Sequence, residues 1–401
     1  MKLLNQQIIK NNNLKKIYNL IYQEPGISRA RLAKLSGLSK PTVSTLTDEL
    51  IKKGFIHDTG ITADTSSVGR KPNGLHLLSN RHFVAVISWS KDGVFARLID
   101  VCGGSAKEVS SKLSGSDTYV SVSRQLFDRM REGMEAEQLL GVCVIVPAMI
   151  DTDCREIYAV TLDQAHIGEH PLLKSLQDIF SDVPAAIFND TACAGYAEKV
   201  FAGISQSDFA YINFQHGIGA ALFIQNRLLG NATASYTQFG HYSVDPDGIQ
   251  CSCGNRGCLE LVISEDALKK RISETGKKSL LEEYEEITYA DLSSAALCGD
   301  TAAQQVICDM AKDFSLAISN LACIVRPRLV VIGGKGKELG PLFLEEIIRN
   351  LKHSGFRHML DSMQIRYSFL DSTAYFAGGM KFFFDIYYDF TQDLTGQFFV
   401  G

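Results

Sequence analysis

No run of 18 or more apolar residues occurs in the 401-residue sequence, so nothing in it is long enough to cross a bilayer as a helix. Residues 1–10 also lack the apolar stretch and small-residue cleavage site of a signal peptide. These two absences predict a soluble, cytoplasmic protein with no membrane partner. A disulfide framework is missing as well. Of ten cysteines, seven (Cys102, Cys143, Cys154, Cys193, Cys298, Cys308 and Cys323) are scattered singly, mostly in apolar surroundings, and read as buried reduced thiols. There is little excess charge of one sign, since the net charge is −5. Taken whole, that figure argues against a nucleic-acid partner. Residues 1–80, however, carry 12 Lys and Arg against 5 Asp and Glu, or +7, which leaves −12 for residues 81–401. A basic, DNA-facing module on an acidic body is predicted.

The remaining three cysteines crowd together. Cys251, Cys253 and Cys258 lie within eight residues, among turn-forming Gly and Asn, and His241 precedes Cys251 by ten. A loop folded back on itself would bring four soft donors about one ion, which predicts a structural zinc site of the Cys3His type held by His241, Cys251, Cys253 and Cys258. A closed tetrahedron leaves no position for a reactive water, so such an ion shapes the loop and performs no chemistry. The alternative, three unligated thiols in a polar loop, would be an oxidation liability.

In the amino-terminal module, Asn11-Asn12-Asn13 offers a helix cap, and Leu14, Ile17, Tyr18 and Ile21 follow at helical spacing. Pro25-Gly26 stops this helix. Ser28 caps a second, residues 29–35, whose Leu32 and Leu35 can face a core; Gly37 supplies a tight turn, and Ser39 caps a third with Pro41 in its first turn. Helix, Gly turn, helix is the helix-turn-helix outline. Val43, Leu46 and Leu50 form the buried stripe of the third helix, leaving Ser39, Lys40, Thr42, Ser44 and Thr45 for phosphates and base edges in a major groove of double-stranded operator DNA. Two strands, at Phe55-Ile56 and Leu75 to Leu78, enclose Gly69-Arg70-Lys71-Pro72. That is a wing whose Arg70 and Lys71 would lie over a backbone or in a narrowed minor groove. A helical bundle with no DNA role shares the bare helix pattern; the wing and the local charge favour DNA.

From Phe83 the pattern is three strands, a helix (118–135) and an apolar strand (141–146). Strands at 185–189, 209–214, 219–224 and 329–332 alternate with helices at 191–201, 301–324 and 340–351, and a last helix, 374–388, follows. Strand triplets followed by helix and strand suggest two related α/β lobes with a cleft between them.

These features together, with the Asn189-Asp190 pair, the His216-Gly217-Ile218-Gly219 turn, the Gly240-His241 pair and the loop Cys251-Ser252-Cys253-Gly254-Asn255-Arg256-Gly257-Cys258-Leu259-Glu260, resemble the ROK family of sugar-responsive repressors and sugar kinases. The resemblance covers essentially the whole chain. It implies an α/β fold: an N-terminal winged helix-turn-helix (1–80), then a two-lobed actin-like body (81–190 with the C-terminal helix 374–390, and 191–373 carrying the zinc loop). It also implies a sugar-like small-molecule effector at Asn189, Asp190, Gln238 and His241. A kinase of the family needs a first hairpin reading Asp-x-Gly-Gly-Thr, where glycine lets backbone N–H groups wrap phosphate. The matching turn here is Ser88-Trp89-Ser90-Lys91-Asp92, and Pro147-Ala148 stands where the family has Pro-Gly; the Gly333-Gly334 turn falls where the family approaches a nucleotide. Asp190 matches the family's catalytic base, and without a phosphate site it reads as a retained sugar contact; otherwise it caps the helix beginning at Thr191. Gln238 replaces the family's glutamate, a charged acceptor.

The sequence therefore points to a non-enzymatic transcriptional regulator, a repressor of carbohydrate-metabolism genes, acting as a homodimer or homotetramer on a two-fold symmetric operator. The alternatives are a ROK-type sugar kinase, or a regulator controlled by a protein partner with no sugar binding.

Overall fold

The computed structural model describes residues 2–59, 74–153, 155–158, 161–168, 170–215, 217–230, 233, 237–355 and 360–401, with side chains from residue 6 onward. Arg70 and Lys71 at the predicted wing tip, His216 and Cys154 fall outside these residues. Among the described residues no helix is long and apolar enough to cross a membrane. The fold is α/β, with an amino-terminal winged helix-turn-helix followed by a kinase-like body, and it divides into two compact units. The first comprises residues 1–145, 163–187 and 379–400; the second, residues 146–162 and 188–378 with 401.

The helix-turn-helix belongs to the first unit. Its opening helix spans Lys2–Gln23, so Asn11 to Asn13 lie inside the helix and do not cap it. The Asn11 carboxamide oxygen accepts from the Phe390 N–H at 3.0 Å, and a side chain held by a tertiary partner no longer competes for its own helix backbone. Leu14, Ile17, Tyr18 and Ile21 are fully buried, as their spacing predicts. The second helix, Arg29–Ser36, starts under Ser28, whose hydroxyl accepts from Arg31 N. Leu35 is 46% exposed: Leu32 and Ser36, one turn apart, make the buried face, and Leu35 falls off it. Gly37, at φ +70°, makes the turn. Ser39 caps the third helix, Lys40–Lys52, by accepting from Thr42 N, and Val43, Leu46 and Leu50 are buried. The strands Ile56–Asp58 and Leu75–Leu77 pair antiparallel as the base of the wing.

The first unit's sheet runs, in spatial order, Phe398–Val400, Ala185–Asn189, Leu139–Val146, Phe83–Ser90, Gly93–Asp100, Ser105–Ser111. The second unit's runs Gln364–Tyr367, Leu329–Gly334, Phe209–Phe214, Ile218–Ile224, Arg227–Leu228. Setting aside the extra carboxy-terminal strand, both follow one plan: the first strand of a triplet pairs antiparallel with the second and parallel with a strand reached through a helix. The repeat suggested by the strand triplets is thus borne out.

Several readings are corrected by packing. The first strand continues to Ser90, so the hairpin turn is Ser90–Gly93, and Trp89 points into the core, 2% exposed, its indole N–H donating to Ser123 Oγ at 2.8 Å. The last helix ends at Ile386. Cys143 and Cys193 are buried, whereas Cys298 and Cys323 are exposed on helix ends facing solvent.

A Cβ placed on Gly141 would meet the Phe383 ring at 2.5 Å and the Pro184 carbonyl oxygen at 2.7 Å. Overpacking of this kind costs about 1–3 kcal/mol. Gly141→Ala is therefore expected to lower the urea midpoint of the first unit with an unchanged m-value, and an unaltered midpoint would show that the helix backs away freely.

Candidate functional site

Two clusters in the second unit meet on one short stretch of strand. The first begins where the strand Ala185–Asn189 passes into the helix Asp190–Phe201. Asn189, 6% exposed, caps this helix by accepting from Ala192 N at 3.1 Å and donates from Nδ2 to the Ala148 carbonyl at 3.0 Å. The cap is thus Asn189, and Asp190 is the first helical residue. The Asp190 carboxylate accepts from Thr191 N at 2.7 Å. Burial, opposed by the bonds from Thr191, pushes its pKa up to about 6. Thr191 also accepts from Asn213 Nδ2 at 3.1 Å. Gly219 leaves room for this pair, since a Cβ there would lie 2.5 Å from Thr191 Oγ1.

The second cluster is the cysteine loop. The ligand atoms of His241, Cys251, Cys253 and Cys258 all lie within 4.8 Å of one another, with His241 Nδ1 3.6 Å from Cys251 Sγ and Cys253 Sγ 3.6 Å from Cys258 Sγ. Donors held about 2.1–2.3 Å from a tetrahedral ion stand roughly 3.5–3.8 Å apart, so these four residues could hold a metal ion after closing in by about 1 Å at the widest separation. Against the burial that raises it, bonds from Cys253, Cys258 and His241 bring Cys251 down to about 7, while burial and the adjacent Cys251 and Cys253 sulfurs push Cys258 up to about 12. Backbone bonds from Val244 N to Gly257 O and from Leu259 N to Tyr242 O, each 2.9 Å, close the loop on the Gly240-His241 turn.

Two residues past Cys258 comes Glu260, whose carboxylate accepts from Ile218 N at 2.8 Å. Side chains at Gly217 and Gly240 would run into it, at 2.5 and 3.2 Å. In the sequence Glu260 only ends the cysteine motif; the glycines at 217 and 240, against which its carboxylate packs, are the signal for its role. Ile218 and Gly219 therefore join the two clusters, one bonded to Glu260 and the other against Thr191. His241 turns Nδ1 toward Cys251 Sγ. Gln238 is exposed beside it, its carbonyl accepting from His241 N at 3.1 Å. In the amino-terminal module Ser39, Lys40 and Thr45 are exposed and Thr42 and Ser44 half-buried, together at the start of the third helix.

A winged helix-turn-helix joined to a kinase-like body with a cysteine loop defines a class of regulator architecture. The sequence profile of the ROK family matches residues 117–372, well over half of the chain, and that of a winged helix-turn-helix DNA-binding domain matches residues 10–57. The chain belongs to the ROK family. It is 28% identical over 387 residues to the xylose repressor of Caldicellulosiruptor bescii, covering 93% of this chain and 96% of that protein. It is 26% identical over 381 residues to the xylose repressor of Bacillus subtilis, covering 93% and 95%. A crystal structure of a ROK family transcriptional regulator, described as a homologue of the Escherichia coli Mlc protein, superposes with a TM-score of 0.79 at 22% identity over 94% of this chain and 97% of that one.

Because each donor closes the same loop, Cys253→Ala is expected to abolish stoichiometric metal in protein purified under reducing conditions, read by elemental analysis. Undiminished metal content in this variant would mean that the ligands are others.

Proposed function

We propose that the chain is a DNA-binding transcriptional repressor of carbohydrate-metabolism genes, controlled by a sugar or sugar derivative bound in the second unit at Asp190, Gln238, His241 and Glu260, with Asn189 holding Asp190 in place. The observation that carries this reading is the continuous link from the metal loop through Glu260 to Ile218 and on to Thr191 and Asp190, a rigid polar wall of the kind that recognises hydroxyl groups. The metal is zinc, since three thiolates and one imidazole in a closed tetrahedron suit that ion, and it has a structural role. Ser39, Lys40, Thr42, Ser44 and Thr45 contact the operator's major groove, with Arg70 and Lys71 on its backbone, and a homodimer or homotetramer presents paired recognition helices. The relatives named as xylose repressors make a pentose the first effector to try.

No phosphate is transferred in this reading. The Ser90–Gly93 turn is closed on itself, its Asp92 N–H donating to Ser90 Oγ at 3.1 Å. Trp89 fills the space behind it, and the Tyr211 hydroxyl lies against Gly333, where a Cβ would strike it. Backbone donors that face their own protein are not free to wrap phosphate.

Genome-wide mapping of bound DNA tests the regulatory function: enrichment upstream of sugar-transport and sugar-catabolism genes is expected, and binding without such enrichment would contradict it. For the DNA contacts, Arg70→Ala with Lys71→Ala should weaken binding at every sequence and lower the slope of log affinity against log salt by about two, roughly one per phosphate contact. An unchanged slope would remove the wing from the interface.

The effector site carries a sign-defined pH dependence. An ionised Asp190 accepts hydroxyl hydrogen bonds worth about 1.5–3 kcal/mol, against roughly 1 for a neutral partner. With its pKa near 6, the carboxylate is ionised above that value and protonated below it, so affinity should fall as pH drops from 8 to 5. Calorimetry with D-xylose, other sugars and sugar phosphates should show this loss in the parent, no binding in Asp190→Ala, and tighter binding in Gln238→Glu. Heat that is independent of pH and survives Asp190→Ala would place the effector elsewhere; no heat from any sugar, with parent or Gln238→Glu, would favour control by a protein partner.

A further inference from the structure

The helix Ala374–Ile386 is used by neither cluster, yet it passes from the second unit into the first between Gly378 and Gly379. Its two ends are held in different ways. Within the second unit Gly378 lies directly on the helix that begins at Asp190: a Cβ there would strike the Cys193 carbonyl and come within 3.0 Å of Ala197 Cβ. Tyr375, one turn earlier, packs against the buried cluster that includes Ala194 and Tyr211. Within the first unit the same helix grips the opening helix of the DNA-binding module. Lys381 is 2% exposed; its ammonium donates to Asn19 Oδ1 at 3.1 Å, pairs with Asp385, and lies 4.9 Å from the Tyr22 ring centroid. Lys15 answers from the module, donating to the Asp385 carbonyl at 2.8 Å in the last turn of the helix, where a cation meets the negative end of the helix dipole.

These details are costly for a merely structural helix. A buried ammonium is tolerated only with its partners in place, and removing one leaves an uncompensated charge. Two adjacent glycines inside a helix each cost up to about 1 kcal/mol relative to alanine, and such a pair is where helices bend. Here the pair falls at the crossing between units, with close packing on one side and a fixed cation on the other.

We propose that the helix Ala374–Ile386 transmits the state of the effector site to the DNA-binding module, with Lys381 as the positioning residue that seats the module's first helix and Gly378–Gly379 as the joint. The inference rests on the reading of the two units as effector-binding and DNA-binding. Movement of the Asp190–Phe201 helix reaches Gly378 through Cys193, and whatever tilt passes the joint is delivered by Lys381 and Asp385 to Asn19 and Lys15.

Hydrogen–deuterium exchange on the full metal-loaded chain tests the relay without DNA or sugar. Gly378→Ala presses on Cys193 and is expected to change exchange in residues 2–23 by about fivefold or more, the lower range of measured couplings. Reciprocity requires Lys381→Gln, made at the other end, to change exchange in residues 190–201. Effects of Gly378→Ala confined to 190–201 and 374–386, or of Lys381→Gln confined to 2–23 and 379–390, overturn the proposal. Should Gly378→Ala also lose protection in the strand Leu329–Gly334, it has unfolded its unit, and the Lys381→Gln arm decides alone. With a duplex selected in vitro against the parent, Lys381→Gln should weaken binding while keeping the salt slope, because Lys381 releases no counterions from DNA. A reduced slope would make Lys381 a phosphate contact and overturn its positioning role. If the parent selects no duplex, the DNA-binding reading fails while the exchange result still judges the relay.

Discussion

Four donor atoms within 4.8 Å, one imidazole nitrogen and three sulfurs, are the constraint on which the second unit's functional surface depends. A loop of this polarity has little apolar area with which to hold itself, and an ion chelated by these four residues would replace the missing core. Closing the loop fixes Gly240 and His241 on one side and Leu259 and Glu260 on the other. Glu260 then takes the Ile218 N–H, and the strand starting there passes Thr191 and Asp190. In the proposed reading, metal coordination would set the placement of Gln238, His241 and Glu260, and loss of the ion would be felt at these residues first.

The amino-terminal module depends on a different kind of interaction. Its second and third helices, of 8 and 13 residues, are short, and most helical stability in proteins comes from tertiary packing. Tyr18 supplies much of that packing, its ring 4.8 Å from Phe384 and its hydroxyl donating to the Val101 carbonyl at 2.9 Å. Phe55, just past the recognition helix, stacks on His82 at 4.1 Å and meets Phe390 edge-on at 4.9 Å. His82 in turn bonds the Lys53 carbonyl at the helix end, at 2.7 Å. The module is therefore seated in the first unit through residues at both ends of the sequence, which is why an orientation change in the carboxy-terminal helix would be felt at the DNA.

Local chemistry was legible in the sequence. Caps at Ser28 and Ser39, the turn at Gly37, the buried stripes of the first and third helices and the clustering of the metal ligands all follow from periodicity, turn residues and spacing. Misreadings occurred where a distant partner overrode a local signal. Asn11 looked like a cap and is instead bound to Phe390, 379 positions away; Trp89 looked like part of a turn and is instead held by Ser123. The role of Lys381 could not be read at all, because a lysine among phenylalanines signals a solvated edge until Asn19 and Asp385 are seen around it. The cap on the Asp190 helix lies one residue earlier than the sequence suggests, since Asn189 accepts from Ala192 N and Asp190 is the first helical residue.

Effector binding and DNA binding are two states of one coupled equilibrium in this account, and reciprocity is its most direct test. Sugar affinity is measured by calorimetry on the protein alone and on the protein saturated with its selected duplex, and duplex affinity is measured with and without saturating sugar. The account predicts that the two ratios are equal and exceed about fivefold, as a coupling of 1 kcal/mol or more requires. A sugar that binds with the same affinity in the presence and absence of DNA would contradict it.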